Sequence, residues 1–431
     1  MRNPLTNSIT KTVEERFDVL AATFFPQVPP LTTHTRPLIT DEDHIELMSA
    51  ADVRRAVLEF NPNKAPGPDG IFSKTIQALY KSDNPLFRDR LNSLFQACQH
   101  KGYHPTEWKT SHTVIIPKPH KKDKASLKSY RPIALLNTMG KMLERVFCNS
   151  ITAFIDRSSI LNEYQFGCRK GYSAPDALLK LINDIKSKQE TNPKTRTSAI
   201  MVDIKGAFDN VDHKHLLETL DKKNFPQGTI EWISSFITNR STAIITDGIV
   251  DKTRPTTKGI PQGSPLSPIL FNIYTTGLYH RLSEIPGIKF AGFVDDVTIY
   301  CHDSQARATN SLGLALKACV EWATKAHTEI DLGDKLNFIH FGNKTANPPR
   351  LPVPCQQTLR EPQDEAKVLG VILDRKLNFK PHISLKKEQA IQAINFITRL
   401  GGTTDGLTGF AFKLLYNSCI VPIISYGWGM G

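Results

Sequence analysis

Apolar residues recur at helical spacing at Val13, Phe17, Leu20 and Phe24, and the same period predicts a second helix through Val53, Ala56, Val57 and Phe60 behind a Ser49-x-x-Asp52 cap. The run Asn61-Pro62-Asn63-Lys64-Ala65-Pro66-Gly67-Pro68-Asp69-Gly70 breaks that pattern. Its prolines and glycines predict a rigid surface loop, the kind of segment that carries binding groups. Helical periodicity returns over 72–99. Residues 113–116, followed by Pro117, predict a short strand. Tyr130-Arg131-Pro132 reads as punctuation in a basic loop ahead of a helix over 143–147. Leu178, Leu181, Ile182 and Ile185 mark a further helix.

The second half alternates strands and helices. Residues 199–202 form a compact apolar strand that ends on Asp203. Ser264-Pro265 is expected to cap and open a long helix whose buried stripe is Leu270, Ile273, Leu278 and Leu282. Residues 290–294 and 297–300 flank Asp295-Asp296 symmetrically, the pattern of a β-hairpin with two acids at its turn. A helix through Leu316, Val320 and Ala323, a strand over 338–341, a single strand over 368–373 and a helical stretch over 386–431 complete the reading. Internal repeats and low-complexity segments are not evident.

At 431 residues the chain exceeds what one hydrophobic core supports, so at least two packed units are expected. Lys and Arg outnumber Asp and Glu by 54 to 42, a net charge of +12 that favours a polyanionic partner. The seven cysteines are scattered and never in CxxC spacing, which argues against a disulfide framework or a zinc knuckle. A reducing intracellular setting, nucleus or cytoplasm, is the default expectation. Residues 1–10 lack the apolar core of a signal peptide, and no membrane partner is expected. The basic stretch 118–124 reads as an exposed loop in preference to an import signal.

The strand ending on Asp203 and the hairpin carrying Asp295-Asp296 fit a ferredoxin-like order, in which central strands distant in sequence are neighbours. Asp203 and Asp295 then face one another. Facing carboxylates share a proton, meet cations or hold divalent metal. Magnesium suits such a pair, because it takes few carboxylates and fills its shell with phosphate oxygens and water. Two ions roughly 3.5 to 4 Å apart activate a 3′-hydroxyl and stabilise departing pyrophosphate. Each acid taken singly fits a turn equally well, since Asp is a favoured turn residue. His213 and His215, beside Asp212, are read as solvated at a helix start. The GxxxxGK[ST], HExxH and GxSxG signatures are absent.

Three segments taken together resemble motifs of reverse transcriptases and stand in that family's order. They are Met201-Val202-Asp203-Ile204-Lys205-Gly206-Ala207-Phe208-Asp209-Asn210-Val211, Gly259-Ile260-Pro261-Gln262-Gly263-Ser264-Pro265-Leu266-Ser267-Pro268 and Phe293-Val294-Asp295-Asp296. The 63–70 loop, Tyr130-Arg131-Pro132-Ile133-Ala134-Leu135-Leu136, Gln165-Phe166-Gly167-Cys168-Arg169-Lys170-Gly171 and Leu369-Gly370-Val371-Ile372-Leu373-Asp374 resemble retrotransposons that lack long terminal repeats. The resemblance covers about residues 10–430.

It implies an α+β right-hand polymerase fold with a ferredoxin-like palm, mixed α/β fingers and a partial helical thumb. Residues 1–60 become an N-terminal helical extension, 61–198 mainly fingers with part of the palm, 199–380 the palm and 381–431 part of the thumb. By resemblance, Asp203 and Asp295 hold two Mg2+ ions, with Mn2+ as a substitute, and Asp296 lies beside them near the primer terminus. The backbone of Ile204 faces the metal. Phe208 lies under the incoming sugar, where its ring collides with a 2′-hydroxyl. Arg131 and Lys118 grip the triphosphate, as suits cations among phosphate oxygens. Gln262 and Gly263 line the incoming base and template, and Lys335 delivers a proton to pyrophosphate. The implied partners are an RNA template, a DNA primer or target DNA, and deoxynucleotides. A fragment lacking an endonuclease and C-terminal segments is expected.

The chain departs from the family pattern at Val294, where alanine is usual, at Leu336 after Lys335, and at Phe379, where tryptophan is frequent. The alternative expectation is therefore a catalytically silent nucleic-acid-binding remnant of the same fold. An RNA polymerase is disfavoured by Phe208.

Overall fold

The computed structural model describes residues 1–3, 6, 8–29, 39–119, 123–191, 196–333, 335–342, 351–355, 358–400 and 406–430. Part of the basic stretch, residues 120–122, lies outside them. Two compact units emerge, each assembled from separated stretches of chain. Unit 1 comprises Met1–Asn162, Gly206–Thr276 and Lys325–Thr328; unit 2 comprises Glu163–Lys205, Gly277–Thr324 and Glu329–Gly431.

Helix α1 (Val13–Phe24) opens on a capping box between Thr12 and Glu15, and α2 (Ala50–Leu58) on the one expected between Ser49 and Asp52. The helix expected over 72–99 is two, α3 (Ser73–Lys81) and α4 (Pro85–His100). Asn84 caps a fresh start there, and Pro85 lacks the amide needed to continue the old helix. Strand β1 (Thr110–Pro117), β2 (Tyr130–Leu135), α5 (Thr138–Ser158), α6 (Ala174–Thr191) and β3 (Arg196–Asp203) follow. Then come α7 (His213–Lys222), α8 (Gln227–Ile237), β4 (Arg240–Thr246), β5 (Ile249–Val250), β6 (Arg254–Thr256), α9 (Ser267–Tyr274) and α10 (Thr276–Ser283). Next are β7 (Ile288–Phe293), β8 (Asp296–Asp303), α11 (Gln305–Lys325), β9 (Asn337–Phe341), β10 (Val353–Cys355) and β11 (Thr358–Arg360). A hairpin of β12 (Glu365–Val368) and β13 (Val371–Asp374) precedes α12 (Lys380–Arg399), α13 (Gly409–Leu415) and α14 (Val421–Ser425). None of the described helices is long and apolar enough to cross a membrane.

Three local readings are corrected. Tyr130-Arg131-Pro132 is not a loop but the start of β2. That strand ends the sheet order β2-β1-β4-β5, so Pro132 sits on an edge strand, where a missing amide is tolerated. The helix expected from Ser264 begins at Ser267 and is interrupted at Thr275, although Leu270, Ile273, Leu278 and Leu282 are all buried as expected. The strand expected over 368–373 folds back on itself, because Leu369 and Gly370 both adopt positive φ (45° and 84°) and place Val368 opposite Val371.

In unit 1, β1 pairs antiparallel with β2 and parallel with β4, while β4 also carries β5 and β6. An aromatic core fills part of this unit: Phe147 stacks on Trp232 at 3.5 Å between centroids, and Trp232 on Phe236 at 5.7 Å. His104 is fully buried edge-on to Trp108, Trp232 and Phe236. Its two ring nitrogens have no hydrogen-bond partner among the described residues. Burial first, then the positive charges of Arg240 and Lys109, hold its pKa well below the usual histidine range.

The folded chain therefore keeps His104 neutral while the unfolded chain gains a proton below pH about 6.5, and stability falls as pH drops through that value. Urea unfolding is expected to lose about 2 kcal/mol between pH 7 and pH 5 from this residue. His104→Phe should remove that part of the acid sensitivity. An unchanged slope in the variant would assign it elsewhere.

In unit 2 the strands lie in the order β7-β8-β3-β9, all antiparallel. The sequence order of these four strands is second, third, first, fourth, which is the ferredoxin-like order expected. On this sheet, Met201, Tyr300, Ile339 and Phe341 pack with Leu178, Leu181 and Ile185 of α6 and with Val371 and Leu373 of β13.

Candidate active site

The pairing of β3 with β8 runs Val202 to Val297 and ends with Asp203 opposite Asp296, so two acids meet at the tip of the central strands. The third stands one residue away. Phe293 pairs with Asp296 across a two-residue turn of Val294 and Asp295, the hairpin expected from sequence. Val294 takes φ 58°, a left-handed conformation that a β-branched residue rarely adopts. The surroundings hold it there: Phe166 donates its amide to the Gly292 carbonyl at 2.7 Å, and the Gly292 amide donates to the Tyr164 carbonyl at 2.8 Å. A Cβ on Gly167 would meet the Val294 nitrogen at 2.4 Å, which explains glycine at that position.

Asp203 is fixed by its backbone. Its carbonyl accepts the Asp331 amide at 2.8 Å, and the next amide, of buried Ile204, donates to the Asp295 carbonyl at 3.2 Å. Its carboxylate accepts the Lys335 ammonium at 2.6 Å. Burial pulls the Lys335 ammonium down, but the hydrogen bond and charge of Asp203, joined by Asp295 and Asp331, hold it above its ordinary value. Asp296 is open to solvent, yet its carboxyl is pushed up to about 7, by the surrounding protein first and then by the charges of Asp295 and Asp203, against Lys335. With solvent at hand, repulsion between the acids is the component that matters, and it marks a place short of positive charge. Among the described residues no group of three or more His, Cys, Asp or Glu side chains forms a ready-made metal cage. Lys335 is the cation that stands on Asp203.

The remaining candidate residues belong to unit 1. Half-buried Phe208 packs its ring on Phe271 at 5.4 Å, and its carbonyl accepts the Ile260 amide at 2.8 Å. Gln262 donates from its side chain to Asp209 at 2.9 Å and accepts the Ala134 amide at 2.8 Å. Phe208-Asp209 and Gln262-Gly263 are thus brought together against β2. Asp209, four residues before His213, carries no sequence signal of its own beyond the Asp203 segment. Burial pushes its carboxyl up to about 7, opposed by the Gln262 hydrogen bond and the Lys118 charge. That Lys118 charge is the link between the basic loop and this group, and the Lys118 ammonium also donates to the Lys128 carbonyl at 3.0 Å. Arg131 is exposed on β2 opposite Ile116. His213 corrects the sequence reading: it is buried, its Nε2–H donates to the Gly259 carbonyl at 2.7 Å, and burial lowers its pKa. His215 is half-buried, its ring edge-on to Tyr274 at 5.2 Å.

Gly263 has an internal reason to be glycine. At φ 151°, a Cβ would stand 2.2 Å from the Ala134 carbonyl oxygen, a backbone atom that cannot rotate away. Gly263→Ala is expected to lower unfolding stability by about 2 kcal/mol, read as a shift of the urea midpoint. A shift near zero would mean that the loop and β2 separate freely.

Residues 116–373 match the family described as reverse transcriptase (RNA-dependent DNA polymerase). Among curated proteins, the chain is 27% identical over 90% of its length to a probable RNA-directed DNA polymerase from transposon BS of Drosophila melanogaster, covering 42% of that relative. It is 31% identical over 77% of its length to the RNA-directed DNA polymerase from mobile element jockey of Drosophila funebris, covering 36% of it. The retrovirus-related Pol polyprotein from type-1 retrotransposable element R1 of Bradysia coprophila is 27% identical over 97% of this chain and is covered over 40% of its own length. The chain thus spans about two-fifths of the length of these relatives.

Proposed function

The chain belongs to the reverse transcriptase family, and on that premise we propose that it extends a DNA primer on an RNA template, as the polymerase of a retrotransposon lacking long terminal repeats. The observation that carries the reading is the meeting of Asp203, Asp295 and Asp296 at the tips of β3 and β8. Residues 1–60 serve as an extension, 61–198 mainly as fingers, 199–380 as the palm and 381–431 as part of a thumb. The β7-β8-β3-β9 sheet supports the palm assignment.

Oxygen donors alone at this tip fit a hard divalent cation, and the mutual repulsion that raises Asp296 supplies the electrostatic reason for one to bind. Asp203 and Asp295 are the residues to hold it, with the Ile204 backbone alongside. When bound, two magnesium or manganese ions supply the charge that activates a primer 3′-hydroxyl and offsets that of pyrophosphate. Asp296 borders the primer end. Lys335, kept protonated by Asp203, orients that carboxylate and is the proton source for pyrophosphate. Phe208 excludes the 2′-hydroxyl, Gln262 and Gly263 face base and template, and Arg131 and Lys118 take the triphosphate charge. The net charge of +12 supports tracking of template and primer phosphates, with binding that weakens as salt rises.

Purified chain, an RNA template annealed to a DNA primer, deoxynucleotides and magnesium should yield products whose length follows the template. Chelation should stop the reaction. A preparation that binds the duplex but extends it with neither magnesium nor manganese would overturn the enzymatic reading and leave the silent remnant.

A further inference from the structure

Unit 1 contains a buried polar tether between α5 and the segment that carries Gln262. Glu144 lies in α5 and is wholly buried, an environment that pushes its carboxyl up against the opposing influence of Arg240, Ser264 and Lys141. Burying a carboxyl is costly, so a residue there for packing alone would be apolar. Glu144 has a specific partner instead: Ser264 donates its hydroxyl to the Glu144 Oε2 at 2.5 Å.

Ser264 is the pin of the segment that carries Gln262 and Gly263. Its hydroxyl accepts the Leu266 amide at 3.0 Å, and its own amide donates to the Pro261 carbonyl at 3.2 Å. Ser267 donates to the same carbonyl at 2.8 Å. One turn further along α5, the Cys148 thiol donates to the Pro265 carbonyl at 3.3 Å. The same helix also holds the proline-rich loop, through Lys141 to the Ala65 carbonyl at 3.2 Å and Thr138 to the Ile71 carbonyl at 2.6 Å. Its early turns therefore anchor two loops at once, and Glu144 is the anchor for the one bearing Gln262.

We propose that Glu144 is a positioning residue which, through Ser264, fixes where Gln262 and Gly263 stand for the incoming nucleotide and template. This rests on the nucleotide-facing reading of that loop. A residue that merely balances the charge of Arg240 would need its negative charge, whereas a tether needs only an oxygen that accepts the serine hydroxyl.

The test compares the full chain with Glu144→Ala, Glu144→Gln, Ser264→Ala, the double alanine variant and Gln262→Ala. Amide hydrogen exchange over 259–270 and the KM and kcat for a deoxynucleotide in primer extension are the readouts. Glu144→Ala and Ser264→Ala should each speed exchange in that segment and raise KM about tenfold, with kcat less affected, as loss of one hydrogen bond to a buried group implies. The double variant should be no worse than either single one. Glu144→Gln should restore both readouts.

Unchanged exchange over 259–270, additive effects, or a Glu144→Gln variant as impaired as the alanine would overturn the tether. If Glu144→Ala does not fold, Ser264→Ala breaks the same bond and decides. Gln262→Ala separates the two layers: if it raises KM and Glu144→Ala does not, the tether alone fails. If it leaves KM unmoved, the nucleotide-facing reading fails and takes the functional half of the proposal with it. Should the chain not extend a primer at all, the exchange readout decides the tether.

Discussion

Asp295→Ala is expected to reduce primer extension at least about a thousandfold, the scale seen when a group that stabilises transition-state charge is removed. The fold should survive the change. The backbone carbonyl of Asp295 accepts the Ile204 amide, and an alanine presents the same carbonyl. Its side chain, by contrast, adds to the repulsion that lifts Asp296. Removing it lets Asp296 return toward the ordinary carboxylate range and lifts a penalty on the folded state, so the thermal midpoint should stay level or rise. Loss of activity with unchanged or improved stability is the signature of a group kept for function. Single-turnover extension and a thermal melt on the same preparation give both numbers. A variant within tenfold of the parent would remove Asp295 from the proposed chemistry.

Phe208→Ala should raise ribonucleotide use relative to deoxynucleotide use by about a hundredfold, the scale on which a pocket gains or loses discrimination over one hydroxyl. Phe208→Leu, which retains bulk, should remain selective. The ring is half-buried on Phe271, so the alanine variant also loses packing and should be about 2 kcal/mol less stable. These effects separate two roles. A purely packing residue would give the stability loss with an unchanged nucleotide ratio, whereas the proposed exclusion of the 2′-hydroxyl requires the ratio to move. Competition between matched ribo- and deoxynucleotides at a single template position measures it directly.

Much of this was legible in the sequence where local periodicity and local chemistry agree. The strand into Asp203 and the hairpin around Asp295-Asp296 needed only an apolar run, alternation and turn-favouring acids, and the structure has all three. Helix α2 was announced by its cap. What escaped depends on neighbours far along the chain. Pro132 disguised β2, because whether a proline fits a strand is decided by its place in the sheet and not by its own sequence. His213 looked solvated beside Asp212, yet its ring reaches the Gly259 carbonyl, 46 residues away. Glu144 carried no signal at all, since an isolated glutamate in a helix is ordinarily a surface residue and only the buried bond to Ser264 gives it meaning. Gly263 stands out in the sequence beside Gln262, but its collision with Ala134 arises only from the placement of β2.

The central strand pair joins Asp203 to Asp296 across more than ninety intervening positions, and β4 returns beside β1 across a longer stretch still, with Thr110 opposite Ser241. A ribosome adding about 5 to 20 residues per second leaves β3 waiting on the order of 5 to 20 s before β8 exists to cover it. Through that interval the apolar Ala199, Ile200 and Val202 have no β8 partner, and so form an open edge of the kind that invites pairing with another nascent chain. Slow, long-range closure of this sort makes yield during synthesis sensitive to temperature and to chaperone supply.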